Sequence, residues 1–335
     1  MDTFTHCITG AVIAKAGFNQ RLGRIGTVTG AVASFVPDAD ILMRFFGQQD
    51  FSFFIKYHRG PGNSLFFMIP LSLVIALIFN VVSKKKAFAH FFLLSLLAIA
   101  AHNFMDLQTS YGTMLLFPFS NTRFTLDLVF ILDLFYSGIL LSGFLMAVFW
   151  KRRAIGCARI TLLMIALYTG LCAINHWRAL SAGHEFAKSH HIKAIEIASL
   201  PQPLSPFLWT NFVESDELVY RGFLDLWGHE GPVRSDSFIG KYKSNFKGFK
   251  QVTYRSYAKF PESPLLRKAF ELEGVKLFLW FARFPIVLSE ELKDDFYVLK
   301  LFDLRFDSMI GGSPFVYEIV FDREGNIKSE SFKRS

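Results

Sequence analysis

Residues 65–106 read LFFMIPLSLVIALIFNVVSKKKAFAHFFLLSLLAIAAHNFMD, two apolar runs on either side of the triplet Lys84-Lys85-Lys86. A hydrocarbon core of about 30 Å takes roughly 20 helical residues to cross, so Leu65–Val82 and Ala87–Asn103 each predict a membrane span. Short loops rich in lysine and arginine stay cytoplasmic. The triplet therefore places the far end of both runs, with His102 and Asp106, on the outer side.

The same reading extends in both directions. Leu128–Trp150 and Ile155–Trp177 flank Lys151-Arg152-Arg153, and two shorter runs, Phe4–Phe18 and Ile25–Val36, flank Arg21 and Arg24. With all three basic loops cytoplasmic, about six spans thread without conflict and both termini lie outside. A shallow hairpin in place of the first two spans would leave Arg21 and Arg24 at membrane depth, which is costly. The expected fold is thus a polytopic α-helical membrane domain over 1–183, followed by a smaller α+β soluble domain over 184–335.

Composition divides at the same boundary. The chain of 335 residues is 52% hydrophobic and carries a formal net charge of +8. The segment 184–335 holds 21 basic and 21 acidic residues, against 15 basic and 7 acidic in 1–183. The whole positive excess therefore belongs to the apolar half, in clusters beside apolar runs. That is a topology signal and not the basic face a nucleic-acid-binding domain needs. Cys7, Cys157 and Cys172 all lie in the apolar half and form no metal-type or disulfide pattern. The start of the chain, with Asp2 where a signal peptide has a basic region, does not read as a secretory signal.

The seven acidic residues of this half are Asp2, Asp38, Asp40, Asp50, Asp106, Asp127 and Asp133. All map to the outer side of the predicted bundle, as do His6, His58 and His102. Asp2/His6 and His102/Asp106 are i,i+4 pairs, so each presents an imidazole and a carboxylate on one helix face. Taken singly, such a pair also reads as a helix-end hydrogen bond. Two at one membrane depth point to function, because ionisable groups near lipid are expensive. Pro37-Asp38-Ala39-Asp40 adds two carboxylates at a helix break, of which a capping turn explains only one. The mixture suits a divalent metal, zinc first, with manganese or iron as alternatives. The expected ligands are drawn from Asp2, His6, Asp38, Asp40, His58, His102 and Asp106. Arg59 beside them suits a phosphate or carboxylate, and Ser64, Ser120 and Arg123 offer further hydroxyls and a cation for substrate. Asp133 is expected to pair with Arg123 or to orient a ligating histidine.

In order along the chain, Met1-Asp2-Thr3, Thr5-His6, Pro37-Asp38-Ala39-Asp40, His58-Arg59-Gly60, Ser64, His102-Asn103-Phe104-Met105-Asp106, Thr109-Ser110-Tyr111-Gly112-Thr113 and Pro118-Phe119-Ser120 resemble the YdjM-like family of bacterial inner-membrane proteins. The likeness covers roughly residues 1–140, and Pro203–Trp209 looks like the linker that many relatives carry before a soluble tail. It implies a multi-pass protein of the bacterial inner (cytoplasmic) membrane with an inferred metal-dependent hydrolase activity and no assigned substrate. One position departs from the pattern. Where the family typically reads His-Arg-Gly-x-Thr-His-Ser, this chain has His58-Arg59-Gly60-Pro61-Gly62-Asn63-Ser64, with Asn63 in place of the second histidine. An amide oxygen is a poorer zinc ligand than imidazole, which weakens the case for catalysis more than that for metal binding.

In the tail, Leu218–Leu224, Gln251–Tyr257, Asp295–Phe306, Phe315–Phe321 and Ile327–Phe332 predict strands, the last two joined by the turn Asp322-Arg323-Glu324-Gly325. Ser263-Pro264 predicts a helix start. Val275–Leu288 is apolar but too short to span, and predicts a helix or strand on the sheet or bilayer. With no catalytic motif of its own, the tail reads as a lid, a substrate-presenting module or a partner-binding domain on the outer side.

The functional expectation is a hydrolase at the outer leaflet, cleaving a phosphoester or acyl bond of a lipid or lipid-linked substrate. Asp40 or Asp106 would be the general base, and Arg59 would hold developing negative charge. The alternative is a non-catalytic scaffold or sensor with a structural metal site and a partner-binding tail. A metal or proton transporter through Asp133 and His102 would need ionisable groups continuing to the cytoplasmic side, and the sequence has no such path.

Overall fold

A computed structural model describes residues 1–40, 51–228, 237–307 and 315–333. Arg44, Asp50 and His229 lie outside the described residues. By its internal contacts the chain divides into two compact units. The first comprises Met1–Gln49, Tyr57–Asn175 and Pro201–Pro206, and the second Asp50–Lys56, His176–Leu200 and Phe207–Ser335.

In the first unit α1 (Thr3–Ile13), a single turn α2 (Asn19–Leu22) and α3 (Arg24–Phe35) come first. After α4 (Phe51–Tyr57, largely in the second unit) follow α5 (Leu65–Val82), α6 (Phe88–Leu107), α7 (Leu134–Phe149) and the start of α8 (Ala154–Ser189). Among the described residues three helical stretches are long and apolar enough to cross a membrane: Leu65–Val82, Phe88–Leu107 and Lys151–Ser189. This corrects the expectation of about six spans. α1 and α3, of 11 and 12 residues, reach only roughly 17 Å at a rise of about 1.5 Å per residue. α7 has 16 residues because the Asp133 carboxylate accepts from Tyr136 N at 2.8 Å and fixes the helix start there, so Leu128–Leu132 stays irregular.

α1 and α3 pack backbone to backbone. A Cβ placed on Gly10 would lie 1.9 Å from the Gly30 carbonyl oxygen, and one on Gly30 would lie 2.2 Å from that of Gly10. Only glycine permits this approach. Both helices also pack on α6, whose Ala98 and Ile99 are fully buried beside Ala33. The contacts bring the N-terminal turn of α1, the C-terminal end of α3 and the last turn of α6 together.

The second unit holds two four-stranded sheets. The first has the order β1 (Glu196–Pro201), β2 (Leu208–Glu214), β3 (Leu218–Asp225), β4 (Tyr254–Ala258). The second runs β5 (Pro285–Lys293), β6 (Phe296–Asp303), β7 (Val316–Phe321), β8 (Ile327–Lys333), antiparallel throughout. A core with Phe212 stacked on Phe284 at 4.5 Å joins residues of both sheets. α9 (Phe238–Ser244) comes between β3 and β4 in the chain, and the helices α10 (Pro264–Ala269) and α11 (Glu273–Phe281) cover the second sheet through Leu266, Val275 and Phe278. Ser263 caps α10 ahead of Pro264, as its sequence predicts. The apolar stretch Val275–Leu288 divides into the end of α11 and the start of β5.

Candidate metal centre

His102 and Asp106 sit one turn apart at the end of α6 and face the same way, as their spacing requires. Asp106 is the hub. Its Oδ1 lies 3.1 Å from His6 Nε2, 2.9 Å from Arg59 Nη2 and 2.5 Å from the Met1 amine. Its Oδ2 accepts from Asn63 Nδ2 at 2.8 Å and lies 3.3 Å from His102 Nε2. Asp38, from the 3₁₀ turn over residues 36–40, brings Oδ1 to 3.5 Å from His102 Nε2. The His6 and His102 rings stack with centroids 3.8 Å apart. All four side chains are buried, and their ligand atoms lie within 4.8 Å of one another. A second group, Asp38, Asp40 and His58, meets the same criterion.

The chemistry of this donor set fits a cation. His102 Nδ1 lies 2.8 Å from the Ser34 carbonyl. A carbonyl only accepts, so Nδ1 carries a proton, and Nε2 is the atom turned towards two carboxylates. Among the described residues Nε2 nevertheless has no hydrogen-bond partner, and neither does Asp38 Oδ1. An imidazole nitrogen facing two buried carboxylates calls for positive charge between them, either a proton that makes His102 the ion-pair partner of Asp38 and Asp106 or a bound cation. With one donor atom from each of the four residues within 4.8 Å of the others, the set is compact enough to share one ion whose ligands stand about 2.0–2.2 Å from it. Burial and the neighbouring Asp106 push the Asp38 carboxyl up, but His102 and His6, when protonated, outweigh them and hold it at about 2. It is ionised, as a ligand must be.

The loop 58–63 reaches the centre by close backbone approach. A Cβ on Gly62 would lie 2.2 Å from the Pro37 carbonyl oxygen, so the turn abuts the Asp38–Asp40 segment. Arg59 adopts φ 56, a region non-glycine residues seldom visit. Its buried guanidinium is held by Asp106, by Thr109 Oγ1 at 2.5 Å and by the Tyr111 ring at 5.0 Å. His58 Nδ1 meets Asp40 Oδ2 at 3.0 Å.

The structure thus gathers His6, Asp38, Asp40, His58, Arg59, His102 and Asp106, and leaves other candidates apart. Asp2 belongs to neither group; it caps α1 and accepts from Thr5 N at 3.0 Å. Ser64 caps α5 and donates to the Phe117 carbonyl. Ser120 is bonded to Thr122 in an exposed turn. Arg123 donates to the carbonyls of Gly112 and His58 and so braces the loop behind the centre. Asp133 does not meet Arg123 or a histidine: Tyr168 donates to it at 2.8 Å. Two participants went unforeseen, the Met1 amine and the Ser34 carbonyl. Asn63, singled out in the sequence as the departure from the family pattern, donates to Asp106 where that pattern has an imidazole. No spacing rule picks out a backbone group, and the direction of an amide depends on its partner.

The chain is 25% identical over 341 residues to the uncharacterized protein YfhP of Bacillus subtilis (strain 168), an alignment covering 98% of this chain and 94% of that protein. No solved structure matches it. The profile of the YdjM inner membrane protein family matches residues 1–179, the segment that carries the apolar helices and every residue of the centre, and the chain belongs to that family.

Proposed function

We propose that the centre binds a divalent metal, zinc in the first instance, and that the protein is a hydrolase acting on a phosphoester or acyl bond of a lipid or lipid-linked substrate at the outer leaflet. The observation that carries this is His102 Nε2, turned towards Asp38 and Asp106 without a hydrogen bond. A bound divalent cation would supply an activated water and polarise the scissile oxygen. His6, Asp38, His102 and Asp106 would hold it. Asp40 is the better general base of the two carboxylates considered. Among the described residues its Oδ1 has no hydrogen-bond partner, while both oxygens of Asp106 are engaged by donors. Arg59 positions Asp106, and its Nε, which has no hydrogen-bond partner among the described residues, would meet an anionic substrate oxygen.

Reading both basic loops, Lys84–Lys86 and Lys151–Arg153, as cytoplasmic requires the 16-residue α7 to cross as a short span, and with that crossing the ends of α6 and α8 and the C-terminal domain would lie outside. A C-terminally fused reporter enzyme that folds only outside the cytoplasm should be active; an inactive reporter with intact fusion protein would reverse the orientation.

One observation favours the alternative of a non-catalytic scaffold or sensor. Asp106 is engaged by the Met1 amine, Arg59, Asn63 and His6 at once, which is how a purely structural buried carboxylate is satisfied. A single experiment separates the readings: metal content and phosphodiesterase and esterase turnover of the detergent-purified protein, its His102→Ala variant and its Asn63→His variant. The expected result is bound metal and turnover in wild type and loss of both in His102→Ala. In Asn63→His, metal affinity should rise about tenfold or more, as an imidazole replaces an amide at the rim. Equal metal content in wild type and His102→Ala would end both readings; metal without turnover in wild type and Asn63→His would leave the scaffold.

A further inference from the structure

The centre as described has one residue in two places. Asp38 belongs both to the group His6, Asp38, His102, Asp106 and to the group Asp38, Asp40, His58. A carboxylate has two oxygens and can give one to each of two cations. We propose that Asp38 is a bridging ligand and that the protein binds two divalent ions, one in each group. This rests on the metal-binding reading above and deepens it.

Two observations independent of the grouping point the same way. First, Oδ1 of Asp38 is buried and, among the described residues, has no hydrogen-bond partner, and Asp38 as a residue is 2% exposed. Buried carboxylate oxygens are normally paired or on a metal. Second, the positive charge is unevenly placed. Arg59 and the Met1 amine are both spent on Asp106 Oδ1, so the Asp40 end of the pocket draws on neither. The 3.0 Å separation of His58 Nδ1 from Asp40 Oδ2 suits two ligands of one ion there as well as it suits a hydrogen bond.

The backbone enforces the sharing. Asp38 and Asp40 lie two residues apart in one 3₁₀ turn, and the Gly62 contact with Pro37 holds the His58 turn against it. Two cations sharing a carboxylate form the arrangement that grips both the attacking and the leaving oxygen of an in-line displacement. The substrate class this favours is a phosphoester over an acyl ester. One oxygen of Asp40 would ligate, and the other would stay available for a proton.

The test is metal stoichiometry on the full-length protein in detergent, titrated with zinc alone and separately with manganese for electron paramagnetic resonance. Two ions per chain are expected, and the manganese-loaded protein should give the spectrum of an exchange-coupled pair. His58→Ala should fall to one ion with an isolated-ion spectrum, and Asp38→Ala should abolish the coupling. One ion per chain in wild type, lost in His102→Ala and untouched in His58→Ala, would overturn the second site and leave the first. Two uncoupled ions would overturn the bridge. No ion at all would overturn this proposal together with the reading beneath it. The wild-type stoichiometry and spectrum decide the matter even where a variant fails to fold.

Discussion

Replacing Asp106 by alanine is expected to lower stability by about 3–5 kcal/mol, the cost of removing one partner from a buried ion pair. The magnitude follows from what the carboxylate holds. The Arg59 guanidinium and the Met1 amine are both buried against Oδ1. With Asp106 gone, the partners left to Arg59 among the described residues are a backbone carbonyl at 3.3 Å, the Thr109 hydroxyl and a face of Tyr111, none of which carries a charge. Alanine is a better helix former than aspartate, so the α6 backbone gains slightly, and the loss belongs to the pocket. Asp106→Asn should lose less, because one amide oxygen still accepts. The measurement is chemical or thermal unfolding in detergent after treatment with a chelator, which removes any contribution from bound metal. An Asp106→Ala protein within about 1 kcal/mol of wild type would show that these charges are not buried together.

The convergence of the centre was legible in the sequence because helical spacing is rigid. The i,i+4 rule fixes which way His102 and Asp106 face, and the position of the lysine triplet fixes which end of the helix they occupy. The number of spans was not legible, because apolar composition does not distinguish a helix facing lipid from a short one buried by its neighbours. Gly10 and Gly30 carried the missing information, since a small residue in each short helix is what permits backbone contact. Asp133 was misplaced for a related reason. The apolar run from Leu128 to Trp150 is continuous, and only the cap shows where the helix starts.

In the tail, β3, β6, β7 and β8 are plain from their content, whereas β1 and β2 escaped. The β2 sequence Leu208–Glu214 is buried at every position, and covering both faces erases the alternation that marks a half-exposed strand. Its polar Asn211 is tolerated inside because it donates to the Ala179 carbonyl at 2.8 Å and accepts from Ser199 at 2.7 Å. Neither partner is adjacent in sequence, so the sequence alone does not reveal the pairing.

Gly30→Leu is expected to destabilise the protein by roughly 3 kcal/mol, the upper end for overpacking, and to remove metal binding although Gly30 touches no ligand. A Cβ at this position would lie 2.2 Å from the Gly10 carbonyl oxygen and 2.8 Å from its carbon. Backbone cannot rotate out of the way as a side chain can, so α1 and α3 must separate. α1 carries His6; α3 carries Ser34, whose carbonyl holds His102, and leads directly to Asp38. Parting the two helices therefore pulls the ligands apart from both sides. Gly170→Leu on α8 is the control, since its Cβ would meet nothing within 4 Å. There the change should be neutral or stabilising by up to about 1 kcal/mol, because leucine outranks glycine in a helix. Unfolding curves and zinc content of the two variants, side by side, check both parts. If Gly30→Leu kept its zinc, ligand placement would not depend on the α1–α3 contact, and the centre would have to be held by α6 and the 58–63 turn alone.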